Sequence, residues 1–291
     1  MLFKSHLFVR FVPLLFVLLW STGFIGAKYA LPYIEPFYLL FIRMLLTIVV
    51  FVGLALVFRS RWPNMRQGGH QAVTGFLVHA CYLGGVFAAI KWQMPAGIAA
   101  IIVGLQPLLT AMIGWQWLGV SLRRVQWFGL TLGLIGVVLI LTDGQSATFE
   151  LRTEAVIAAL FALVGISVGT LYQKRYGADV DLLTGSVYQY LATAVAMAFL
   201  AFMFEERVVQ WDPTLLFALA WLVFGLSISA ILLLMFMIRE GESARVASYF
   251  YLVPPVTTLE AWLLFGERLS WLQGGAIVIT VLGVYLVLRP R

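Results

Sequence analysis

Residues 165–169 read Gly-Ile-Ser-Val-Gly and match the G-x-S-x-G motif of serine hydrolases. Hydrolase chemistry needs a strand-to-helix turn, a histidine base and an acid around that serine. Here the motif lies inside a long apolar run, and the three histidines, His6, His70 and His79, are more than a helical turn apart. The single cysteine, Cys81, excludes an internal disulfide, and no Cys/His cluster has metal-ligand spacing. We therefore expect no catalytic residue, no metal site and no cofactor.

Polar side chains within apolar runs form a second set of candidates. A charge at mid-span costs about 2.5–3.5 kcal/mol on insertion scales, so each charged residue within a run is a candidate functional residue. Arg43 lies about two turns into the second run and would either extend to the outer headgroups or line a cavity. His79, with Tyr82 on the same helical face, would either pack or contact a substrate or proton. Gln106 precedes Pro107, and a proline frees a backbone carbonyl that a ligand can use.

Aromatic and amide side chains at similar depth complete the predicted set. Such aromatics usually pack against lipid or helices, but a cavity lined with them suits amphipathic or aromatic solutes. The candidate substrate-binding residues are Trp20, Arg43, His79, Tyr82, Gln106, Tyr188, Gln189, Tyr249 and Tyr251. Lys28 and Glu260 are placed near the outer surface, as headgroup anchors or as gating or ion-pairing residues, with Glu260 pairing to Arg43 or Lys28.

The elements that carry these residues are predicted to be transmembrane helices. Of 291 residues 62% are hydrophobic and 11% charged, whereas a soluble domain has about 45–50% and about 25%. Lipid is therefore the solvent, and the runs are too long for the strands of a membrane barrel. The first run is read as a span rather than a signal peptide because it is long. The ten runs are 11–31, 36–58, 72–92, 95–118, 125–142, 154–174, 182–204, 214–238, 244–265 and 270–288.

The distribution of basic residues predicts the orientation. Lysine and arginine collect in the cytoplasmic loops of membrane proteins. With the N-terminus inside, 13 of the 19 basic residues fall on the cytoplasmic side and 4 on the opposite side. We therefore expect both termini in the cytoplasm. The net charge of +6 follows from this rule and does not indicate nucleic acid binding.

The chain repeats itself at an offset of about 147 residues. In this register Trp115 matches Trp262 and Gln126 matches Gln273, while Arg43 falls near Gln189 at an offset of 146. Each half has five predicted spans, an odd number, so the second half is expected to be inverted relative to the first. The predicted repeats are residues 1–146 and 147–291. Inverted repeats are a plan used by secondary transporters.

Together these features resemble the drug/metabolite transporter superfamily, specifically its bacterial EamA-type members. The likeness covers essentially the whole chain. Its residues include WSTGFIGAKYA from Trp20 to Ala30, Arg43 in the second run, and Gly266-Glu267 in the second copy. Val120 departs from the pattern, because the first copy of such repeats often carries glutamate there. The resemblance implies an all-α, ten-helix exporter of small metabolites, often amino acids or toxic amphipathic compounds.

The sequence thus predicts a secondary transporter of the inner membrane that works by alternating access. Its partners would be a small-molecule substrate and the lipid bilayer, and it would be a monomer or a homodimer. No Gly-rich phosphate loop is present, so ATP is not expected to drive it directly. Two alternatives remain. An intramembrane enzyme would need at least two titratable groups converging at one depth, and a non-transporting subunit or sensor would have an apolar, fully packed space between the halves.

Overall fold

The computed structural model describes residues 6–118, 123–143, 151–177, 179–233, 250–266 and 270–289. Within these ranges the chain forms helices and no β-strand. The α-helices are α1 (His6–Ala30), α2 (Pro36–Val57), α3 (Met65–Gly75), α4 (Tyr82–Lys91), α5 (Ala96–Val103), α6 (Gln106–Leu118), α7 (Arg124–Asp143), α8 (Thr153–Tyr176), α9 (Leu182–Phe204), α10 (Pro213–Ala220), α11 (Val253–Phe265) and α12 (Trp271–Leu288). Two π-helical segments, π1 (Phe76–Cys81) and π2 (Trp221–Ala230), follow α3 and α10, and a 3-10 helix (Phe250–Leu252) precedes α11.

Seven helices of the described ranges are long and apolar enough to cross a membrane. They are Phe11–Ala30, Pro36–Val57, Met65–Lys91, Ala96–Gln116, Thr153–Tyr176, Leu182–Phe204 and Pro213–Leu233. The predicted fifth and tenth runs contain the shorter apolar helices Arg124–Leu139 and Trp271–Val287. Part of the predicted ninth run, 244–265, lies outside the described residues. The membrane-helix prediction is thus confirmed at the coarse level, and the count of ten stays a prediction.

The predicted fourth run, 95–118, is not one continuous helix. It consists of α5 and α6, which are separated by a turn at Gly104 and Leu105. A Cβ on Gly104 would lie 2.5 Å from Cγ of Pro254, so glycine allows α11 to approach the break. Gln106, expected within a helix, is instead the first residue of α6. Broken helices are a recurring element of transporter folds, where they expose backbone groups inside the protein.

The helix bounds repeat at the same offset as the sequence. Both ends of α11 lie 147 residues after the ends of α6. The same shift moves π1 to residues 223–228, which fall inside π2. The matching glutamines Gln126 and Gln273 are both capping residues, whose Oε1 atoms accept from the backbone N–H three positions earlier, at 2.8 and 3.1 Å. The sequence match at this position therefore reflects the same capping interaction at the starts of α7 and α12.

The chain divides into two compact units, each drawing segments from both halves of the sequence. Unit 1 comprises Met1–Gly26, Met94–Arg152 and Phe224–Arg291, and unit 2 comprises Ala27–Gln93 and Thr153–Val223. The repeat boundaries 1–146 and 147–291 stay a prediction.

Unit 1 is built around the pair α7 and α12, which are counterparts in the repeat. Their contact is made by glycines. A Cβ on Gly283 would lie 2.6 Å from the carbonyl oxygen of Gly129 and 2.6 Å from the backbone nitrogen of Gly133. The backbones are therefore in direct contact, as the prediction of a packing role for Gly129 and Gly133 requires.

Unit 2 is built around α2 and α9, again counterparts, with α3, π1 and α4 packed on α8 and α9. A Cβ on Gly165 would lie 2.7 Å from Cβ of Cys81, and one on Gly169 would lie 2.6 Å from a methyl of Val78. Both glycines pack α8 against π1, which confirms the structural interpretation of this spacing. Ser167 between them is fully buried and donates to the carbonyl of Leu163, so the hydrolase-like motif lies within an ordinary helix.

The loop after α9 in unit 2 caps the start of α2. The two carboxylate oxygens of Glu205 accept from the backbone N–H groups of Phe37 and Tyr38, at 2.8 and 2.7 Å. In return, Glu35 accepts from the backbone N–H of Arg207 at 3.0 Å. Carboxylates stabilise a helix N-terminus because its first N–H groups lack partners within the helix.

We expect Gly283→Ala to lower the thermal stability of the protein, measured by unfolding in detergent micelles. The added methyl would meet backbone atoms of α7, which move only if the helices separate, and such overpacking costs about 1–3 kcal/mol. Gly53→Ala is the matched control, since nothing lies within 4 Å of its Cβ position in α2. Equal stability of the two variants would contradict the close helix contact.

We expect the stability contribution of Glu205 to depend on pH. Burial and repulsion by Glu35 raise the pKa of Glu205 above its ordinary value, although the N–H groups of Phe37 and Tyr38 oppose this. The folded state thus binds the proton more tightly than the unfolded state, and the resulting stabilisation is present at acid pH and lost as pH rises through the raised pKa. Glu205→Gln does not titrate, so the melting temperature of the wild type should fall relative to this variant between acid and neutral pH. A constant difference would contradict the raised pKa.

Candidate functional site

Four polar side chains are buried together in the core of unit 2. Arg43 of α2, Gln71 of α3, His79 of π1 and Gln189 of α9 are 3, 3, 6 and 7% exposed. We call them the polar cluster. Burying polar groups among apolar helices is costly unless they bond to one another or to a ligand. Their internal bonds therefore decide what the cluster can do.

The side-chain amide of Gln189 links two members of the cluster. Its Nε2 donates to Oε1 of Gln71 at 2.6 Å, and its Oε1 lies 3.2 Å from Nε2 of His79. Because an amide oxygen only accepts, this orientation requires a proton on Nε2 of His79. In the neutral ring Nδ1 is then the acceptor. The ring of His79 also lies 4.6 Å from the ring of Tyr190.

Arg43 brings a positive charge to the cluster. It lies within electrostatic range of His79, Tyr82 and Tyr190. At 3% exposure it belongs to the packed core of unit 2, so the alternative in which it extends to the headgroups is wrong. The sequences of α2, α3, π1, α4 and α9 contain no aspartate or glutamate. A buried guanidinium attracts groups with negative charge or strong hydrogen-bond acceptors.

A close helix contact positions the cluster. A Cβ on Gly75 would lie 2.2 Å from the carbonyl oxygen of Gln189, so α3 touches the backbone of α9 at this point. Thr193 secures the contact by donating to the carbonyl of Gly75 at 3.0 Å. Gln71 lies one turn before Gly75 and His79 one turn after it, so both reach the amide of Gln189. His79 itself lies on π1, and such wide turns often occur at functional sites.

Unit 1 contains a second polar contact. The hydroxyl of Ser21 in α1 lies 2.8 Å from Oε1 of Glu260 in α11. Ser21 is ten residues into the apolar helix Phe11–Ala30, so Glu260 is level with its middle. The prediction that Glu260 lies near the outer surface stays a prediction. Its recorded partner in the described residues is a hydroxyl and not the cation that was expected.

The other predicted residues lie at varied places. Trp20 packs in unit 1 on Phe16 and Phe250, with ring centroids 5.3 and 5.2 Å away. Tyr82 is buried at the start of α4, beside the polar cluster. Tyr188 is half-buried and packs on Trp62, away from the amide chain. Lys28 is half-buried in the last turn of α1.

Two predicted tyrosines cannot be assigned. Tyr249 lies outside the described residues. Tyr251 falls in the 3-10 helix, and its side chain lies outside the described part.

Sequence reasoning missed Gln71, Tyr190 and Ser21. Gln71 was placed just before the third span, which was drawn from residue 72, although the helix already begins at Met65. The capping pair of Asn64 and Gln67, a side chain and backbone exchange at 2.9 and 3.0 Å, was the signal for that earlier start.

We expect Gln189→Leu to destabilise the protein, because it leaves polar atoms of Gln71 and His79 buried without their partner. The loss should be about 1–3 kcal/mol in the free energy of unfolding, measured by SDS titration. The double variant with Gln71→Leu should lose less than the sum of the single variants, since the two residues share one bond. Gln210→Leu, at an exposed position, is the control and should be nearly neutral. Additive losses would contradict the amide chain.

Comparison with known proteins identifies the fold and the family. A solved crystal structure matches with a TM-score of 0.67 over 94% of each chain, at 23% identity. The chain is 27% identical to an uncharacterized inner membrane transporter, YedA, of Escherichia coli K12, over 92% of this chain and 89% of that protein. It is 28% identical to an uncharacterized transporter, YvbV, of Bacillus subtilis, over 91% and 87%. A probable amino-acid metabolite efflux pump of Salmonella typhimurium is 26% identical over 95% and 93%. The model of the EamA-like transporter family matches residues 8–142 and 153–289, and the chain belongs to that family.

Proposed function

We propose that this transporter is a secondary exporter of small metabolites, such as amino acids or toxic amphipathic compounds, and works by alternating access. The observation that carries the proposal is the polar cluster. Arg43, His79 and Gln189 bring a charge and an amide chain into the core of apolar helices, and such polar groups inside membrane helices commonly mark transport pathways. The relative named as a probable amino-acid metabolite efflux pump supports this substrate class.

In this proposal the polar cluster binds the solute while the protein is open to one side of the membrane. Arg43 attracts an anionic or strongly accepting group of the solute. The amide of Gln189 exchanges its bond to Gln71 or His79 for a bond to the solute. The break between α5 and α6 and the two π segments supply backbone that is able to rearrange as access changes.

The proposal includes the topology. Ten spans would form two inverted five-helix repeats in the inner membrane, with both termini in the cytoplasm. We expect alkaline phosphatase fused after Arg291 to be inactive and the same enzyme inserted after Arg152 to be active. Activity of the C-terminal fusion would contradict the orientation.

The two alternatives receive less support. An intramembrane enzyme needs an acid and a base together, but the helices that form the polar cluster contain no aspartate or glutamate to act with His79. A non-transporting subunit or sensor predicts an apolar, fully packed space between the halves, and movement of a solute by the purified protein would contradict it.

Growth protection is the first test. Bacteria that overexpress the protein are challenged with amino-acid analogues, aromatic metabolites and cationic dyes, and we expect resistance to one chemical group. Arg43→Ala should abolish the resistance at equal expression, because loss of a charged hydrogen bond of about 1.5–3 kcal/mol weakens binding about tenfold or more. Arg66→Ala, at an exposed position of α3, is the matched control and should keep it.

If the cells show no resistance, transport by the purified protein in liposomes is the next test. Purified protein is reconstituted and supplied with radiolabelled amino acids and amphipathic solutes under pH, sodium and solute gradients. Movement of any of them supports a transporter, and its direction assigns export or uptake. The proposal is contradicted if no solute moves under any gradient.

A further inference from the structure

We propose that Glu260 is a cation-binding site in unit 1, which holds a proton when empty and exchanges it for the ammonium group of a solute. This inference deepens the proposed function, on which it rests, by naming amines as a substrate class. It uses residues of α1 and α11 that the polar cluster does not include.

The position of Glu260 is the first observation. A rise of about 1.5 Å per residue puts Ser21 about 15 Å from each end of its apolar helix. The carboxylate oxygen Oε1 of Glu260 lies 2.8 Å from the Ser21 hydroxyl and therefore shares this depth. A carboxyl group so far from water is stable when it is protonated or bound to a cation.

The hydroxyl of Ser21 is the second observation. It lies 2.8 Å from the carbonyl oxygen of Leu18 and 2.8 Å from Oε1 of Glu260. A hydroxyl donates one strong hydrogen bond at a time, so the two contacts correspond to two alternative protonation states of Glu260. With Glu260 ionised, Ser21 donates to the carboxylate. With Glu260 protonated on Oε1, the carboxyl donates to Ser21, and Ser21 donates to Leu18. The second state satisfies every polar atom of this chain of contacts.

The other carboxylate oxygen is the third observation. Oε2 of Glu260 is buried and has no hydrogen-bond partner among the described residues. In the protonated state it is a neutral carbonyl oxygen, and burying a neutral oxygen without a hydrogen-bond partner costs less free energy than burying a charged one. In the ionised state it carries half of a negative charge that no described group neutralises, and an N–H of an ammonium group is the partner it lacks. Binding thus releases the carboxyl proton to water, and charge is conserved.

The surroundings favour an ammonium group over a metal ion. Calcium takes six to eight oxygen ligands and magnesium an octahedron, whereas Glu260 has one neighbouring hydroxyl. Thr257 donates to the backbone oxygen of Ser21 at 3.5 Å, and Thr258 faces Gly97 of α5. The described residues contain no group of three acidic, histidine or cysteine side chains that holds a metal.

Aromatic rings lie on α1 and on the 3-10 helix that precedes α11. Trp20, next to Ser21, packs edge-on against Phe250, and Phe16 lies 5.1 Å from the ring of Phe250. Aromatic faces attract organic cations and accept an apolar body. This setting therefore suits an amine with an aromatic or apolar part.

Within the part of the chain that the structure describes, few other charges lie on the elements that pack near Glu260. Neither α5 nor the remainder of α11 has a titratable side chain, and the 3-10 helix has Tyr251. On α1 the nearest cations in sequence are Lys28, seven residues after Ser21, and Arg10, eleven before it. Proton binding is thus assigned to Glu260 itself.

The test uses the full-length protein in lipid nanodiscs and benzylamine as the probe. We expect benzylamine to bind in a calorimetric titration and to release about one proton per molecule into weakly buffered solution, and benzyl alcohol to release none. Glu260→Gln should abolish the proton release and weaken binding at least tenfold. Glu154→Gln, which removes an exposed carboxylate at the start of α8, is the matched control and should change neither.

Infrared difference spectroscopy on the wild type tests the inference even if Glu260→Gln does not fold. Addition of benzylamine should remove the carbonyl stretch of a protonated carboxyl group, and Ser21→Ala should shift that band. The inference is overturned if no proton is released, if Glu260→Gln releases as many protons as the wild type, or if sodium chloride alone causes the same release. Binding does not require transport, so a protein that binds amines yet moves no solute contradicts only the proposed function.

Discussion

Hydrocarbon offers no hydrogen-bond partner to a backbone amide or a buried polar side chain, and the rest of this structure depends on that constraint. Every long segment that the structure describes is helical, because a helix pairs its own backbone N–H and C=O groups. Hydroxyls inside the helices bond to carbonyls of their own turn, as Ser167 does to Leu163. Where a helix is interrupted, at Gly104, another segment packs directly against the backbone. Among the described residues, the polar cluster and Glu260 depart from this pattern, and these are the sites that we assign to transport.

The repeat explains how two compact units arise from interleaved segments. In each unit a helix packs on its own counterpart, α7 on α12 and α2 on α9. Glycines at the α7–α12 contact bring the backbones together without side chains between them. At the α2–α9 pair, Arg43 and Gln189 are 146 residues apart, one short of the 147-residue shift, which moves Arg43 onto Tyr190. Equivalent stretches of the two halves thus supply the charge and the amide of the polar cluster.

Much of this architecture was predictable from the sequence, and the failures have physical causes. Apolar run length predicted the helices, and the match of Gln126 with Gln273 predicted the repeat register, because these depend on local composition and capping. The family followed from motifs such as the stretch from Trp20 to Ala30. Small-residue spacing indicated the packing at Gly165 and Gly169. Hydropathy could not locate the break at Gly104, because the residues on both sides are apolar. Nor could it find the contact of Glu260 with Ser21, which joins residues 239 positions apart in the sequence.

The wide turns π1 and π2 have a consequence for motion. A π segment contains one more residue than an α-helix of equal rise, so its position along the helix is not fixed by length. If the wide turn moves by one residue, each side chain that it passes rotates by about 100°, the angle between neighbours in an α-helix. His79 lies within such a turn, so its ring can swing towards or away from Gln189 without any helix being broken or pulled out of the membrane. Because π2 repeats π1 in the second half, each half of the protein contains a π segment at which side chains can rotate in this way.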